Sequence, residues 1–465
     1  MKKLICLLVF CSLLFSVSQA QQGYSSASYG MGKQRADGLI IPKPAEIVAE
    51  EYFNYHTHQL PMPEKGYNVA LNTRWGNPSL SATQSEAVLQ IGFTTNKNSN
   101  FIDETPLNIC IVIDRSGSMS GDRIEHARKS AITLVEKLRA QDMVSIVTFD
   151  DQIETILENE SAVNKQKIMQ IIKGIEARGS TDLNAGLIRG YEVISKHYAE
   201  KGNNKVLLLT DVLTNTGQVD VEEIVKNAKN YSQNHQISIT LVAIGVQVND
   251  ALARQITKSG KHSFHYVNDA EDIQKIFVKE VESIFSTIAK EVKLTIEYDS
   301  NLELAEFYGY SPNYQGNTIT VSLNNMNAGL TQVALARFKA RLPEQAGEVK
   351  VTLTYYDVEK HKTIIQKQSI KLQYIRKNLP TDMLADSEVR KCVSIAEMAN
   401  TLKEMAIQLE NKQPTKAAYQ KAKDDIDIRI GEVKTRYRSE MDKDVARVLA
   451  MLESYAHLLG ATAKQ

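Results

Sequence analysis

Ile109-Cys110-Ile111-Val112-Ile113-Asp114-Arg115-Ser116-Gly117-Ser118-Met119-Ser120 is the stretch from which the rest of the chain can be ordered. It opens as an apolar, β-branched run, too short for a membrane span, and reads as a buried parallel strand. It ends in one carboxylate and several hydroxyls around a glycine. Beyond it, Ile124, Ala127, Ala131, Leu134, Val135 and Leu138 recur at helical spacing. The Asp-x-Ser-x-Ser unit therefore sits where a buried strand turns into a helix. In open α/β sheets that carboxyl edge is where ligands bind.

Working outward, strands and helices alternate from Leu107 to about Ile288. Strands are expected at Leu107–Ile113, Met143–Phe149, Lys205–Leu209, Ile237–Ile244 and around Phe264–Val267. Helical patterns fill the gaps at Arg123–Arg139, Lys165–Gly174, Leu183–His197, Val221–Asn234, Asp250–Lys258 and Ala270–Lys290. Repeated strand-then-helix order predicts a doubly wound, mostly parallel α/β sheet, assigned to residues 106–290. The last helix runs directly into the next segment, so a shift of that helix on ligand binding is a hypothesis to test.

Residues 291–377 are strand-like throughout, with turn signals at Gly316-Asn317 and Asn327-Ala328-Gly329. The segment is short for a self-sufficient sandwich. Strands at Tyr67–Thr95, within residues 50–105, can complete it. The α/β unit is then inserted in a β-sandwich domain, or followed by it. Trp75, the single tryptophan, is read as a packing residue. Residues 380–462 carry two apolar stripes, Val389 to Leu409 and Ala422 to Leu459, separated by Asn411-Lys412-Gln413-Pro414 with Thr415 as a helix cap. They predict a helical hairpin packed on the β domain, or an arm for a partner.

The 465 residues are 43% hydrophobic and 24% charged, enough for packed cores in several domains. Lys+Arg and Asp+Glu are equal at 55 each, which leaves no basic footprint for nucleic acid. Residues 1–20 have the pattern of a cleaved export signal: Lys2 and Lys3, an apolar core from Leu4 to Val17, and Ser18-Gln19-Ala20. Cleavage there would leave 53 basic and 55 acidic residues, a net of −2, and would remove Cys6 and Cys11. The expected destination is periplasmic, cell-surface or extracellular. Cys110 and Cys392 remain, so no disulfide framework is expected. Residues 21–49, rich in Gly, Ser and Gln, read as a flexible leader. His56-x-His58 is half of a possible metal site, but no Cys/His cluster stands near it in sequence, so a structural role is expected.

Three loops at the carboxyl edge carry oxygen ligands. The first holds Asp114, Ser116 and Ser118. The second, Arg178-Gly179-Ser180-Thr181-Asp182, offers Thr181. The third is Thr210-Asp211, with Gly217 closing the turn. Two carboxylates and three hydroxyls, with no soft ligand, suit Mg²⁺ better than zinc or copper. Ser116, Ser118 and Thr181 can bind directly, and Asp114 and Asp211 directly or through water. Neutral hydroxyls leave the cation short of negative charge, so an open position can take a carboxylate from another protein. Each residue alone also has a structural use: serines satisfy turn amides, Thr181 can cap its helix, and Asp211 can do likewise.

Asp114-x-Ser116-x-Ser118, Gly179-Ser180-Thr181-Asp182 and Leu209-Thr210-Asp211 resemble the three-part metal-ion-dependent adhesion site (MIDAS) of von Willebrand factor type A (VWA) domains, in matching order and loop context over Leu107 to Ile288. The resemblance implies that Asp114, Ser116, Ser118, Thr181 and Asp211 surround a divalent cation, Mg²⁺ in the usual case, or Mn²⁺ or Ca²⁺. It implies an acidic partner residue at the remaining position, and no enzymatic activity. One departure is Val212, where the family often has Gly. The wider layout, including Glu50-Glu51-Tyr52-Phe53-Asn54-Tyr55, is similar to bacterial exported proteins of this class.

Rival chemistries fit less well. A serine hydrolase elbow needs serine where Met119 stands. A phosphate-binding loop needs Gly-Lys-Ser/Thr, and the turn has a single glycine, Gly117. The alternative that stays open is a metal-dependent hydrolase or phosphoryl-transfer enzyme using the same cation site. It requires a base or nucleophile beside the ion, and none is identifiable in the sequence.

Overall fold

The computed structural model describes residues 27–464, apart from 38–39, 97–105, 201, 214, 235–236, 246–247, 258–262, 268–272, 274–286, 311, 324, 346, 378, 380–383 and 411–413. The expected export signal, with Cys6 and Cys11, lies outside the described residues. So does most of the helix expected at Ala270–Lys290.

The supposed leader is not extended. Helix α1 (Ala27–Asp37) and helix α2 (Ala49–Phe53) flank a short 3-10 turn at Pro44–Glu46. Ala27 and Met31 belong to one hydrophobic core, that of the α/β unit. Tyr29 and Ala36 belong to another, that of the C-terminal helices. A helix wedged between two bodies has no single apolar face, which is why helical periodicity did not reveal it. Its seat is close. Tyr455 donates to the Gly32 carbonyl at 3.1 Å, and a Cβ on Gly32 would lie 2.2 Å from the Tyr52 hydroxyl.

Strand β1 (Val69–Trp75), the two-residue β2 (Ser79–Leu80) and β3 (Glu86–Thr95) follow. The chain then enters the α/β unit with β4 (Leu107–Asp114), α3 (Asp122–Lys137), β5 (Met143–Phe149), β6 (Ile153–Ser161), α4 (Lys165–Lys173) and α5 (Leu183–Lys196). It continues through β7 (Asn203–Thr210), α6 (Val221–Asn234), β8 (Ser238–Ile244), α7 (Asp250–Thr257) and β9 (Ser263–Val267). The sheet order is β6-β5-β4-β7-β8-β9, parallel except for β6. β6 is an antiparallel edge strand where no strand was expected. Its charged Glu154, Glu158 and Glu160 hide the pattern and suit an edge.

Every residue of β4 is buried. Ile109, Ile111 and Ile113 enter the core on one face of the sheet, while Cys110 and Val112 enter the core on the other. Covering on both faces is what an unbroken apolar run requires. Each such side chain contributes about 1.5–3 kcal/mol relative to exposure. The chain builds outward from β4 to β5 and β6 on one side, then to β7, β8 and β9 on the other. The carboxyl end of β4 is therefore the topological switch point.

The chain next forms β10 (Thr287–Tyr298), β11 (Leu302–Tyr308), β12 (Asn313–Gln315), β13 (Thr318–Ser322), β14 (Met326–Asn327), β15 (Thr331–Ala340), β16 (Glu348–Asp357), β17 (Lys362–Lys371) and β18 (Gln373–Tyr374). Thr287–Lys290 thus opens a strand, not the end of a helix. One sheet has the order β1-β3-β15-β11 and the other β12-β13-β10-β16-β17. They share one core, in which Trp75 packs edge-on against Phe338 at 6.0 Å. Strands from before and after the α/β unit thus lie side by side, β3 against β15 in antiparallel register. The α/β unit is an insertion in the sandwich.

The C-terminal part forms three helices, α8 (Ser387–Gln408), α9 (Lys416–Arg436) and α10 (Lys443–Lys464), where a two-helix hairpin was expected. The second apolar stripe is broken because Asp442 accepts from the Asp444 and Val445 amides and starts a new helix. Thr415 caps α9 through the Ala418 amide at 3.2 Å. Glu397 of α8 receives Arg337 of β15 together with Arg429 and Arg436 of α9 and its end, tying helices to sandwich. Among the described residues, no helix is long and apolar enough to cross a membrane.

Candidate metal centre

The loops after β4 and β7 and the segment before α5 meet at the switch point. Asp114 closes β4 and is fully buried. Its Oδ1 accepts from the Ser116 amide at 2.9 Å and its Oδ2 from the Thr210 hydroxyl at 2.6 Å. The Ser116 and Ser118 hydroxyls lie 3.1 Å apart. Neither is spent on a helix end, since the short turn at Gly117–Met119 has no side-chain cap. The Ser118 hydroxyl favours the ionised form of the Asp211 carboxyl, which is buried.

Thr181 lies on the neighbouring segment. Asp182, not Thr181, caps α5 through the Ala185 amide at 3.0 Å. The Thr181 amide donates to Asn215 Oδ1 at 2.8 Å, and its carbonyl accepts from the Asn215 and Thr216 amides. The first and second loops are stitched together by Gly117 N–H to the Gly179 carbonyl at 2.9 Å. Gly179 has φ +70°, and a Cβ there would lie 2.2 Å from an Asp151 carboxylate oxygen. Glycine is therefore required at that contact. Arg115 and Arg178 both reach Asp150, at 3.0 and 2.8 Å, and both pair with Glu154. This lattice of charges fixes the two loops to the β5–β6 turn.

The electrostatics favour a cation. Burial pushes the Asp114 carboxyl up to about 7, above its ordinary value of 3.8, and nearby Asp211 adds to the push. Burial also raises Asp211, opposed by the Ser118 hydroxyl and Arg123. Of the two buried carboxylates, Asp211 has a guanidinium contact: Arg123 Nη1 lies 3.3 Å from Asp211 Oδ2 and 2.7 Å from the Ser118 carbonyl. A buried pair of acids short of positive charge, beside neutral hydroxyls and without sulfur or nitrogen ligands, fits a hard divalent cation. Thr210, Arg123 and Asn215 were absent from the sequence-derived ligand set. Thr210 is adjacent to Asp211 in sequence, but nothing in the sequence showed that its hydroxyl crosses to Asp114.

Val212 accounts for the departure noted at the third loop. It has φ +59° and is fully buried. The turn demands a left-handed residue, which Gly supplies freely and a β-branched residue adopts only under strain. Burial in the α/β core holds Val212 there.

A model of the von Willebrand factor type A family matches residues 108–279. Those residues are a VWA domain. Domains of this family are protein-interaction modules and commonly bind a divalent metal. The chain is 27% identical to the uncharacterized Escherichia coli (strain K12) protein YfbK over 284 residues, 59% of this chain and 48% of that protein. It is 29% identical over 133 residues to the human inter-alpha-trypsin inhibitor heavy chain H3, 27% of this chain and 15% of that one. The matches thus span about half or less of the relatives' lengths. Among solved structures, a von Willebrand factor type A protein from Catenulispora acidiphila aligns over 85% of this chain and 88% of its own, at 13% identity and TM-score 0.46.

Proposed function

We propose that the VWA domain holds one divalent cation, Mg²⁺ by preference or else Mn²⁺ or Ca²⁺, among Asp114, Ser116, Ser118, Thr181 and Asp211. An Asp or Glu of a partner protein completes the coordination. The observation that carries this reading is the meeting at the switch point of the buried Thr210–Asp114 bond, the Ser116 amide on Asp114 and the Ser116–Ser118 hydroxyl pair, beside the buried Asp211. The cation, when bound, would supply a Lewis-acidic position for a carboxylate. The protein's own part is to hold the hydroxyls and carboxylates rigid through Gly179, Arg115 and Arg178.

Among the described hydrogen-bond contacts of Asp114, Ser116, Ser118 and Asp211 there are hydroxyls, backbone amides and Arg123, with no histidine or lysine. The pattern of residues 1–20 supports export, to the periplasm, the cell surface or the medium. The β-sandwich and helical extension then form a scaffold that presents the domain.

Titration calorimetry tests the site: one Mg²⁺ or Mn²⁺ per chain, lost in Asp114→Ala. Equal metal binding by both would refute the assignment. A pull-down from the exporting cell, with and without chelator, tests the mode of binding, and metal-dependent turnover of phosphate or ester substrates would favour the enzymatic alternative.

A further inference from the structure

His58 follows α2, and Glu388 and Cys392 stand one turn apart on α8. The three are far apart in sequence and buried together, with ligand atoms all within 4.8 Å of one another. Residues i and i+4 share a helix face, so Glu388 and Cys392 point the same way. His58 Nδ1 lies 3.2 Å from Glu388 Oε1 and 3.5 Å from Cys392 Sγ. The edges of a tetrahedron built from ordinary Zn–N, Zn–O and Zn–S bonds are about 3.3–3.6 Å.

The hydrogen bonds around His58 identify which ring nitrogen carries the proton. Asn54 Oδ1 accepts from the Val333 amide at 2.8 Å, and Asn54 Nδ2 donates to the Val333 carbonyl at 3.0 Å. A backbone amide donates and a carbonyl accepts, so the orientation of the Asn54 amide is fixed. Its Oδ1 lies 3.2 Å from His58 Nε2, which must therefore donate. In the neutral ring, Nδ1 is then a bare lone pair. That lone pair faces a carboxylate oxygen with no hydrogen between them. A thiol hydrogen donated from Sγ to Nδ1 leaves this opposition in place. An N–H fixed on the far nitrogen by an oriented acceptor is the arrangement typical of metal-bound histidine. Lys391 Nζ, 2.8 Å from the same Oε1 and 3.3 Å from the Thr57 carbonyl, orients the carboxylate from behind.

We infer that His58, Glu388 and Cys392 form a second metal site, for a borderline-soft divalent cation of the Zn²⁺ class. It is chemically distinct from the oxygen-only set in the VWA domain. Binding forms Sγ–metal, Nδ1–metal and O–metal bonds and breaks the Sγ–H bond, and the thiol proton leaves to solvent. The mixed nitrogen, oxygen and sulfur donors select against Mg²⁺ and Ca²⁺. The site pins the segment after α2 to the first turns of α8.

Cobalt(II) is the probe, because thiolate–cobalt charge transfer gives a near-ultraviolet band that oxygen ligands do not. The mature chain is refolded with one equivalent of Co²⁺, so that burial does not block entry. The expected result is the band in wild type and in Asp114→Ala, its loss in Cys392→Ser, and its displacement by equimolar Zn²⁺ but not by millimolar Mg²⁺. Glu388→Gln, which keeps the thiol, should retain the band with at least tenfold weaker Co²⁺ binding. Absence of the band in refolded wild type overturns the proposal. Persistence of the band in Cys392→Ser, which would assign it to Cys110, also overturns it.

Discussion

The hydroxyl of Thr210 donates to Oδ2 of Asp114 at 2.6 Å and accepts from the Val212 amide at 2.9 Å. One side chain thus orients a carboxylate on the β4 loop from the β7 loop. Thr210→Val keeps the shape and removes both bonds. Cation affinity is expected to fall about 10–100-fold without vanishing, as for other residues that orient a metal ligand. Calorimetry with Mn²⁺ on Thr210→Val and Asp114→Ala side by side separates weakening from loss.

Arg123 places a positive charge on Asp211, where a bound cation would also need that carboxylate. Its side chain is 27% exposed, so the effect is screened but not abolished. Arg123→Ala is expected to tighten Mg²⁺ binding on the order of several-fold at low salt, with the gain shrinking as ionic strength rises. Weaker binding by the variant would assign Arg123 a positioning role through the Ser118 carbonyl instead.

The left-handed Val212 sets two opposed terms against each other. Relief of backbone strain in Val212→Gly is about 1–2 kcal/mol. Loss of the buried side chain removes about 1.5–3 kcal/mol. The net destabilisation should stay within about 2 kcal/mol, measured by urea denaturation. A larger loss would show that the backbone at Val212 is not strained.

Glu50 supplies a pH dependence. Its Oε2 is buried without a hydrogen-bond partner, and burial, with Glu51 beside it, pushes the carboxyl up to about 7 from 4.5. The native state therefore keeps a proton that the unfolded chain releases. The associated stability is present below about pH 4.5, declines as pH rises toward 7, and stays lost above that. Glu50→Gln should overtake wild type across this window, reaching an advantage of roughly 3 kcal/mol at pH 8. Parallel stability profiles for the two proteins would contradict the assignment. Burial also acts on Glu51, but Arg254, in a 2.9 Å ion pair, and Ser28 together more than offset it and hold that carboxyl low.

Elements with one covered face, or two covered faces and no charge, were legible in the sequence. β4 announced itself by an unbroken apolar run, and α3 and α5 by their stripes. Three things were not legible. α1 is buried on two sides and so lacks a stripe. β6 is an edge whose glutamates mask alternation. The break at Asp442 hides inside a continuous stripe, because Tyr437, Met441 and Val445 keep helical spacing across it. At the candidate metal centre, the spacing of Asp114, Ser116 and Ser118 is local in the sequence. The crossing from Thr210 to Asp114 exists only once two parallel strands lie side by side. His58 shows in the sequence only as part of His56-x-His58, because Glu388 and Cys392, its neighbours in the fold, are more than three hundred residues away.

The interleaving of β3 and β10 with the VWA insertion has a mechanical consequence. The chain leaves the sandwich from one sheet, at β3, and returns to the other, at β10. A pull on the switch-point edge is therefore divided between two sheets, each strand gripped by neighbours on both sides: β1 and β15 for β3, β13 and β16 for β10. Tension drawn along those strands must shear whole rows of hydrogen bonds at once rather than peel them singly. The scaffold is thus a double anchorage for the inserted domain.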